Sequence, residues 1–293
     1  MSKILVTGAT GNIGRKTLQK LLDRRPANEL VGLGRDPARA ADLAAQGIEI
    51  RQGDYFDSAA LVRAFTGVEK MLLVPSPAFT DRTTQHYNVI TAAKAAGVRH
   101  ILYTPMIRPE GSDSSIPEVT APDLFTLQVL QDSGLDYTLA AHPPFIESLP
   151  NYIGANAVES GVRVPAGAGR VGAATYEDLA EAQAVLLTEP GHENRRYSLH
   201  GTPAVSFADI AGILSDLHGT DVAYSTVTEE QYVAQMVAAG LPGSVADFLL
   251  AWVRGINAGE WDNPSGDLEK LLGRKPTTVR EYLRDNYPAP QQH

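Results

Sequence analysis

The sequence predicts an α/β fold, a doubly wound parallel sheet joined to a smaller, mostly α-helical C-terminal lobe. Three observations lead there. Through the first half, short apolar runs rich in β-branched residues alternate with amphipathic stretches, the cadence of βαβ units. The first run breaks into "TGATGNIG", with Gly8, Gly11 and Gly14 three residues apart. After Phe145 the cadence lengthens and Gly and Pro accumulate, as in "ESGVRVPAGAGRVG".

In chain order, strands are expected at 3–7, 30–33, 48–52, 70–74, 100–104 and 137–140, and helices at 13–24, 37–45, 58–65, 83–96 and 121–133. Asp36 before Pro37 reads as an N-cap with proline at the first helical position, and Gly97 after "TAAKAA" as a C-terminal stop. The stretch "TYEDLAEAQAVLL" at 175–187 has a cap-like spacing from Thr175 to Asp178 and an apolar stripe, so a helix returning to the main sheet is expected there. The large domain would then comprise 1–145 and about 175–202, and the small lobe about 146–174 and 203–293.

With 293 residues, 43% hydrophobic and 20% charged, the chain can bury a sizeable core and exceeds a typical domain of roughly 100–200 residues. Its formal charge of −9, without clustered Lys and Arg, argues against nucleic-acid binding, which requires phosphate neutralisation. There is no cysteine, which excludes disulfides and thiolate chemistry. The seven scattered histidines show no H-E-x-x-H or H-x-H spacing, so no metal is assigned. Without a signal-like leader or an apolar run of ~20 residues, the expectation is a soluble, cytoplasmic monomer or homodimer with no membrane contact.

A glycine turn between the first strand and first helix leaves unsatisfied N–H groups at a helix N-terminus, where the dipole favours an anion such as pyrophosphate. Gly8 would permit the tight turn, Gly11 the close approach of phosphate and Gly14 the packing of helix on strand, a Rossmann-like arrangement. A glycine triplet alone fits any tight strand–helix corner. Its place at the head of a βαβ series points to dinucleotide binding. The second strand ends in "GLGRDP", which puts Arg35 where an acidic residue would hold the ribose of NAD and an arginine pairs with the 2′-phosphate of NADP. NADP(H) is therefore the expected cofactor. Asp36 is engaged by its cap, and Arg39 is either a second phosphate contact or a solvated charge.

Together "VTGATGNIG", "GLGRDP", "IRQGDYFD", "AAKAAGVRHILYT", "GLDYTL", "EDLAEAQAVLLTEPGHENRRYSL" and "DLEKLLGRKPTTVREYL" resemble the NmrA-like branch of the atypical short-chain dehydrogenases over nearly the whole chain. That branch includes quinone and triphenylmethane reductases as well as NADP-binding redox sensors. The resemblance implies that Thr10, Asn12 and Ile13 belong to the phosphate turn and that Arg35 selects NADP. Asp54 and Tyr55 would line the adenine pocket, although Asp54 beside Gly53 fits a turn residue equally well. Val74, Pro75 and Ser76 would run past the nicotinamide-side ribose, and Pro144 and Phe145 would wall the nicotinamide.

Ordinary short-chain dehydrogenases donate a proton from a Tyr activated by a Lys four residues later. The stretch "TAPDLFTLQVLQ" has neither; where some quinone-reducing relatives place a lysine, this chain has Leu127 or Gln128. The family's "TLLRN" after the sixth strand is replaced by "TLAAHPPF". Two readings follow. One is hydride transfer to a conjugated, quinone-like or aromatic small molecule, with the proton taken from solvent. The other is a non-catalytic NADP(H) sensor acting through a protein partner. The candidate assisting groups are His142, expected to titrate near neutral pH, and Tyr103 or Thr104, of which strand alternation lets at most one reach a substrate. His142 also fits a packed loop histidine. Met106 and Ile107 fit a substrate floor or loop packing, and His86 a satisfied buried imidazole. Phe248, Leu249 and Trp252 fit a core stripe or a roof over an aromatic substrate.

Overall fold

Parallel strands that are apolar along their whole length must be covered on both faces, and the computed structural model, which describes residues 3–287, covers them. The strands are β1 (Lys3–Val6), β2 (Leu30–Gly34), β3 (Glu49–Gln52), β4 (Val68–Leu73), β5 (His100–Tyr103), β6 (Asp136–Ala141), β7 (Val162–Pro165), β8 (Arg196–Ser198) and β9 (Tyr224–Val227). Seven form one parallel sheet in the order β3-β2-β1-β4-β5-β6-β8. The order reverses between β1 and β4, which opens a crevice at the carboxyl ends of those strands.

The first-half helices are α1 (Asn12–Leu22), α2 (Ala41–Ala45), α3 (Ser58–Phe65), α4 (Arg82–Ala95) and α5 (Thr120–Ser133). They are followed by α6 (Leu149–Ile153), α7 (Ala157–Ser160), α8 (Tyr176–Thr188), α9 (Phe207–His218), α10 (Glu229–Ala238), α11 (Gly243–Asn257), α12 (Asp267–Leu272) and α13 (Val279–Asn286). Strand parity sorts the core. Ile4, Val6, Leu72, Leu102 and Ala140 pack under α1 and α8, while Leu5, Met71, Leu73, Ile101 and Leu139 pack under α3, α4 and α5. Side-chain caps fix where several helices begin: Asp57 accepts from Ala60 N, Asp81 from Thr84 N and Thr175 from Asp178 N.

A third core gathers Ile146, Tyr152, Val162, Phe207, Leu214, Tyr232, Leu249, Val253, Trp261 and Leu283 around the two-stranded parallel sheet β7–β9. These two strands and β8 are absent from the expected elements; VRVP, RYS and YSTV are broken by charged, hydroxyl or proline residues and show no continuous apolar run. The expected helix at 37–45 is divided into a 3₁₀ turn (Pro37–Ala40) and α2, because Ala40, at φ −118° and ψ 23°, breaks the helical ladder where Arg15 Nη2 donates to the carbonyl of Arg39 at 2.6 Å.

The tail divides between cores: Val279 and Leu283 of α13 stay with the third, while α12 does not. Leu268 on α12 joins the main-sheet core beside Leu179 and Leu186 of α8. Fully buried Asp178 accepts from Arg274 Nη2 at 2.8 Å and from Thr277 N at 2.7 Å. Asp178→Ala strands the Thr277 amide and loosens the crossing of the tail, so it should lower stability by about 1–3 kcal/mol. The check is urea denaturation: the midpoint should fall with an unchanged slope, and coincident midpoints would count against this tie.

Candidate active site

The glycine turn divides into two glycines that the chain itself requires and one that it does not. Gly8 has φ +62°, a conformation that costs glycine little. A Cβ on Gly14 would lie 2.4 Å from Gly8 O and 2.7 Å from Thr7 O, so helix α1 can approach the end of β1 only with hydrogen at this position. A Cβ on Gly11 would meet only Gly8 O, at 3.4 Å. No other described residue crowds it, and the volume it leaves free belongs to the groove. Gly11 is also the N-cap of α1, no side chain caps that helix, and its first turn holds no acidic residue. The bare helix N-terminus and open cradle fit a pyrophosphate.

The groove, about 350 Å³, brings together Gly8, Thr10, Gly11, Asn12, Ile13, Gly14, Arg35, Asp54, Tyr55, Val74, Pro75 and Ser76, together with Arg39. Asp36 Oδ1 accepts from Ala38 N at 3.1 Å, so its carboxylate serves the cap. Asp54 Oδ1 accepts from Phe56 N at 2.9 Å in an Asx turn while lining the groove, so the two readings of this residue coexist. Tyr55 donates to Val74 O at 3.1 Å and Thr7 Oγ1 accepts from Val74 N at 2.9 Å, which fixes the wall after β4. Ser76 N donates to His86 Nε2 at 3.1 Å, and Thr126 Oγ1 lies 2.9 Å from the other ring nitrogen. His86 is thus a bonded brace, and burial pushes it down to about 3.

A second cleft, about 520 Å³, shares Asn12, Ile13 and residues 74–77 with the groove. It adds Thr104, Met106, His142, Pro144, Phe145, Tyr152, Tyr176, Phe248, Leu249 and Trp252. Pro144 and Phe145 therefore sit here rather than in the groove. Of the β5 pair, Thr104 lines the cleft and Tyr103 is turned away: it is fully buried in the opposite core and donates to Asp123 Oδ1 at 2.7 Å, which corrects its candidacy as an assisting group. Ile107 is likewise withdrawn, with its carbonyl accepting from Trp261 Nε1 at 3.0 Å. A larger cavity of about 710 Å³ lies beyond Pro105 and Met106 but includes no residue of the glycine turn.

His142 corrects a second expectation. It is buried, its Nε2 lies 3.0 Å from Gln183 Nε2, and Gln183 Oε1 accepts from Thr17 Oγ1 at 2.6 Å. With the amide donating, Nε2 accepts and Nδ1 carries the ring proton. Burial pushes the imidazole down to about 3, so it does not titrate near neutral pH.

Four further residues went unrecognised in the sequence. Tyr152 and Tyr176 line the cleft from α6 and α8, and burial raises both phenols. Arg82 Nη2 pairs with Asp123 Oδ1 at 2.8 Å, both nearly inaccessible. Asp123 Oδ2 also accepts from Met106 N at 2.8 Å and Glu118 O accepts from Arg82 Nη1 at 3.1 Å, so this pair clips both ends of the β5–α5 loop that walls the cleft. Only Tyr176 carried a local signal, at the start of the helix expected over 175–187.

An α/β sheet with an uncapped glycine turn at its switch point and an aromatic-walled cleft beside it defines a dinucleotide-binding protein. A family model described as NAD(P)H-binding matches residues 8–190, and the chain belongs to that family, in keeping with its NmrA-like resemblance. It is 39% identical over 281 residues to quinone oxidoreductase 2 of Escherichia coli K12, covering 95% of this chain and 96% of that one. It is 34% identical over 246 residues to the NAD(P)H azoreductase of Xenophilus azovorans, covering 83% and 84%. The crystal structure of Citrobacter triphenylmethane reductase complexed with NADP(H) superposes with a TM-score of 0.89 at 34% identity, covering 97% of this chain and 99% of that one.

Two outcomes follow for measurement. Gly11→Ala should fold normally yet lose NADPH affinity by roughly tenfold or more, whereas Gly14→Ala should fail to fold stably; equal thermal midpoints for the two variants would contradict the division drawn above. His86 and His142, held down to about 3, and His100, held down to about 4, have an ordinary value of 6.5 when unfolded. Between those values the unfolded chain binds more protons. Their stabilisation is therefore complete above pH 6.5 and is lost as pH falls through 4 to 3, so the thermal midpoint should drop steadily between pH 7 and pH 4. A flat melting profile over that window would refute it.

Proposed function

We propose that this protein is an NADPH-dependent reductase that passes hydride to a conjugated, quinone-like or aromatic acceptor, without a Tyr–Lys proton-donor pair. The observation that carries the reading is the shared wall: residues 12–13 and 74–77 line both the groove and the cleft, so a dinucleotide laid along the glycine turn reaches the space where an acceptor would sit. The likeness to quinone, azo and triphenylmethane reductases supports the same reading.

When bound, NADPH would supply the hydride. The chain's own contribution is placement. Gly11 and the α1 N-terminus receive the pyrophosphate; Arg35 and Arg39, which no described carboxylate pairs, face the 2′-phosphate end. Phe145 packs on Tyr176 with ring centroids 4.7 Å apart and on His142 at 5.8 Å, forming an apolar wall against which the reacting rings are placed. On α5, Leu127 packs into the core and Gln128 bonds Asp132 on the exposed face, so neither stands in for the missing lysine. With the phenols raised and His142 neutral, the proton that completes reduction comes from solvent.

The test adds NADPH or NADH to the protein with a panel of quinones, triarylmethane dyes and azo dyes, against protein-free controls. Protein-dependent NADPH oxidation with at least one class is expected, with NADPH preferred over NADH by roughly tenfold and that preference abolished in Arg35→Ala. Tight NADPH binding with no turnover across the panel would reject the reductase reading in favour of a sensor.

A further inference from the structure

Phe79 occupies an unfavourable place in two respects. Its φ is +63°, in the left-handed region that favours glycine, and half of its large apolar surface faces solvent. The surrounding loop leaves it little freedom: Thr80 Oγ1 donates to Pro77 O at 2.8 Å, and Asp81 caps α4 immediately afterwards. Strained residues persist where the surroundings over-determine them, and they cluster at ligand clamps.

Beside the cleft, which its neighbours Pro77 and Ala78 line, the half-exposed Phe79 ring packs edge-on against the cleft-lining Phe248 of α11, with centroids 5.3 Å apart and planes at 64°. Phe248 is one helical turn from Trp252, at 6.1 Å and 81°, and Trp252 stacks on Trp261 at 5.4 Å and 27°. Trp261 is 1% exposed and anchored through Nε1 to Ile107 O. An aromatic ladder thus runs from a fixed, buried ring along one wall of the cleft to an exposed ring carried by the loop that also walls the cofactor groove.

Resting on the reductase reading, we propose that Phe79 determines specificity. With Phe248 it receives the outer ring of a multi-ring planar acceptor whose reacting ring lies near Phe145, so fused-ring acceptors are preferred over single-ring ones. A single ring seated near Phe145 leaves Phe79 untouched. A three-ring system that extends past Phe248 gains an edge or face contact with Phe79.

The experiment measures binding and turnover separately in wild type, Phe79→Ala and Phe79→Gly, with 1,4-benzoquinone, 1,4-naphthoquinone and 9,10-phenanthrenequinone. Binding is read by tryptophan quenching of the NADP⁺ complex, which needs no turnover. Phenanthrenequinone should bind wild type roughly tenfold tighter than benzoquinone, and both variants should lose that advantage while keeping benzoquinone and NADP⁺ affinity within about twofold. Phe79→Gly, which relieves the backbone, should melt no lower than wild type, so its loss of selectivity cannot come from misfolding. Equal loss for all three quinones, unchanged selectivity, or no quinone binding would overturn the proposal. Selective binding lost on substitution, with no NADPH consumed by wild type, would uphold the clamp and sink only the reductase reading.

Discussion

The close approach of α1 to the end of β1 sets the geometry of the whole site. Hydrogen at Gly14 brings the helix against Gly8 O and Thr7 O, and that same contact points the uncapped helix N-terminus into the groove. The consequence travels inward through polar contacts that apolar packing alone would not position. Thr17, one turn beyond Gly14, bonds Gln183 of α8, and Gln183 meets His142 at the end of β6. All three side chains are buried, so displacing α1 would leave polar atoms without partners and without water. The phosphate turn and the cleft wall at His142 and Phe145 are therefore held in one register.

The opposite wall is braced by a separate set of buried polar groups. His86 fixes Ser76, and Arg82 with Asp123 gathers Met106 and Glu118. A buried ion pair is weak grounds for stability, because desolvation offsets its attraction. What this one does visibly is geometric: it closes the long β5–α5 loop, including Glu118 at φ +60°, against the cleft. This stretch of irregular backbone lines the site where side chains from α4 and α5 hold it.

What was legible in the sequence was local. The glycine turn, the β-branched runs and the caps at Asp36 and Thr175 each act within a few residues, so spacing reveals them. Thr104 could not be chosen over Tyr103 without strand register, since adjacent residues differ only in which face they take. Arg82 and Asp123 lie 41 residues apart and meet only because α4 and α5 pack together. The lowered His142 follows from burial, a tertiary quantity that its neighbours Pro143 and Pro144 do not disclose. Phe248 and Trp252 have the spacing of a core stripe and do pack on a core; their other edge faces the cleft, a division of one helical face that periodicity cannot express.

The electrostatics of the cleft bear on which acceptors suit the proposed reaction. His142 and His86 are neutral, Tyr152 and Tyr176 remain protonated, and Arg82 is matched by Asp123, so the cleft presents no net charge and no ready acid. Hydride adds negative charge to whatever receives it. A simple ketone would become a localised, strongly basic alkoxide, which needs its proton as the hydride arrives and finds no side chain here that gives one readily. A quinone spreads the charge over a ring and two oxygens, and a triarylmethane cation is neutralised outright. An environment with no ready acid and no unmatched positive charge thus penalises the ordinary carbonyl most and the delocalised acceptor least, so the missing Tyr–Lys pair bears on selectivity.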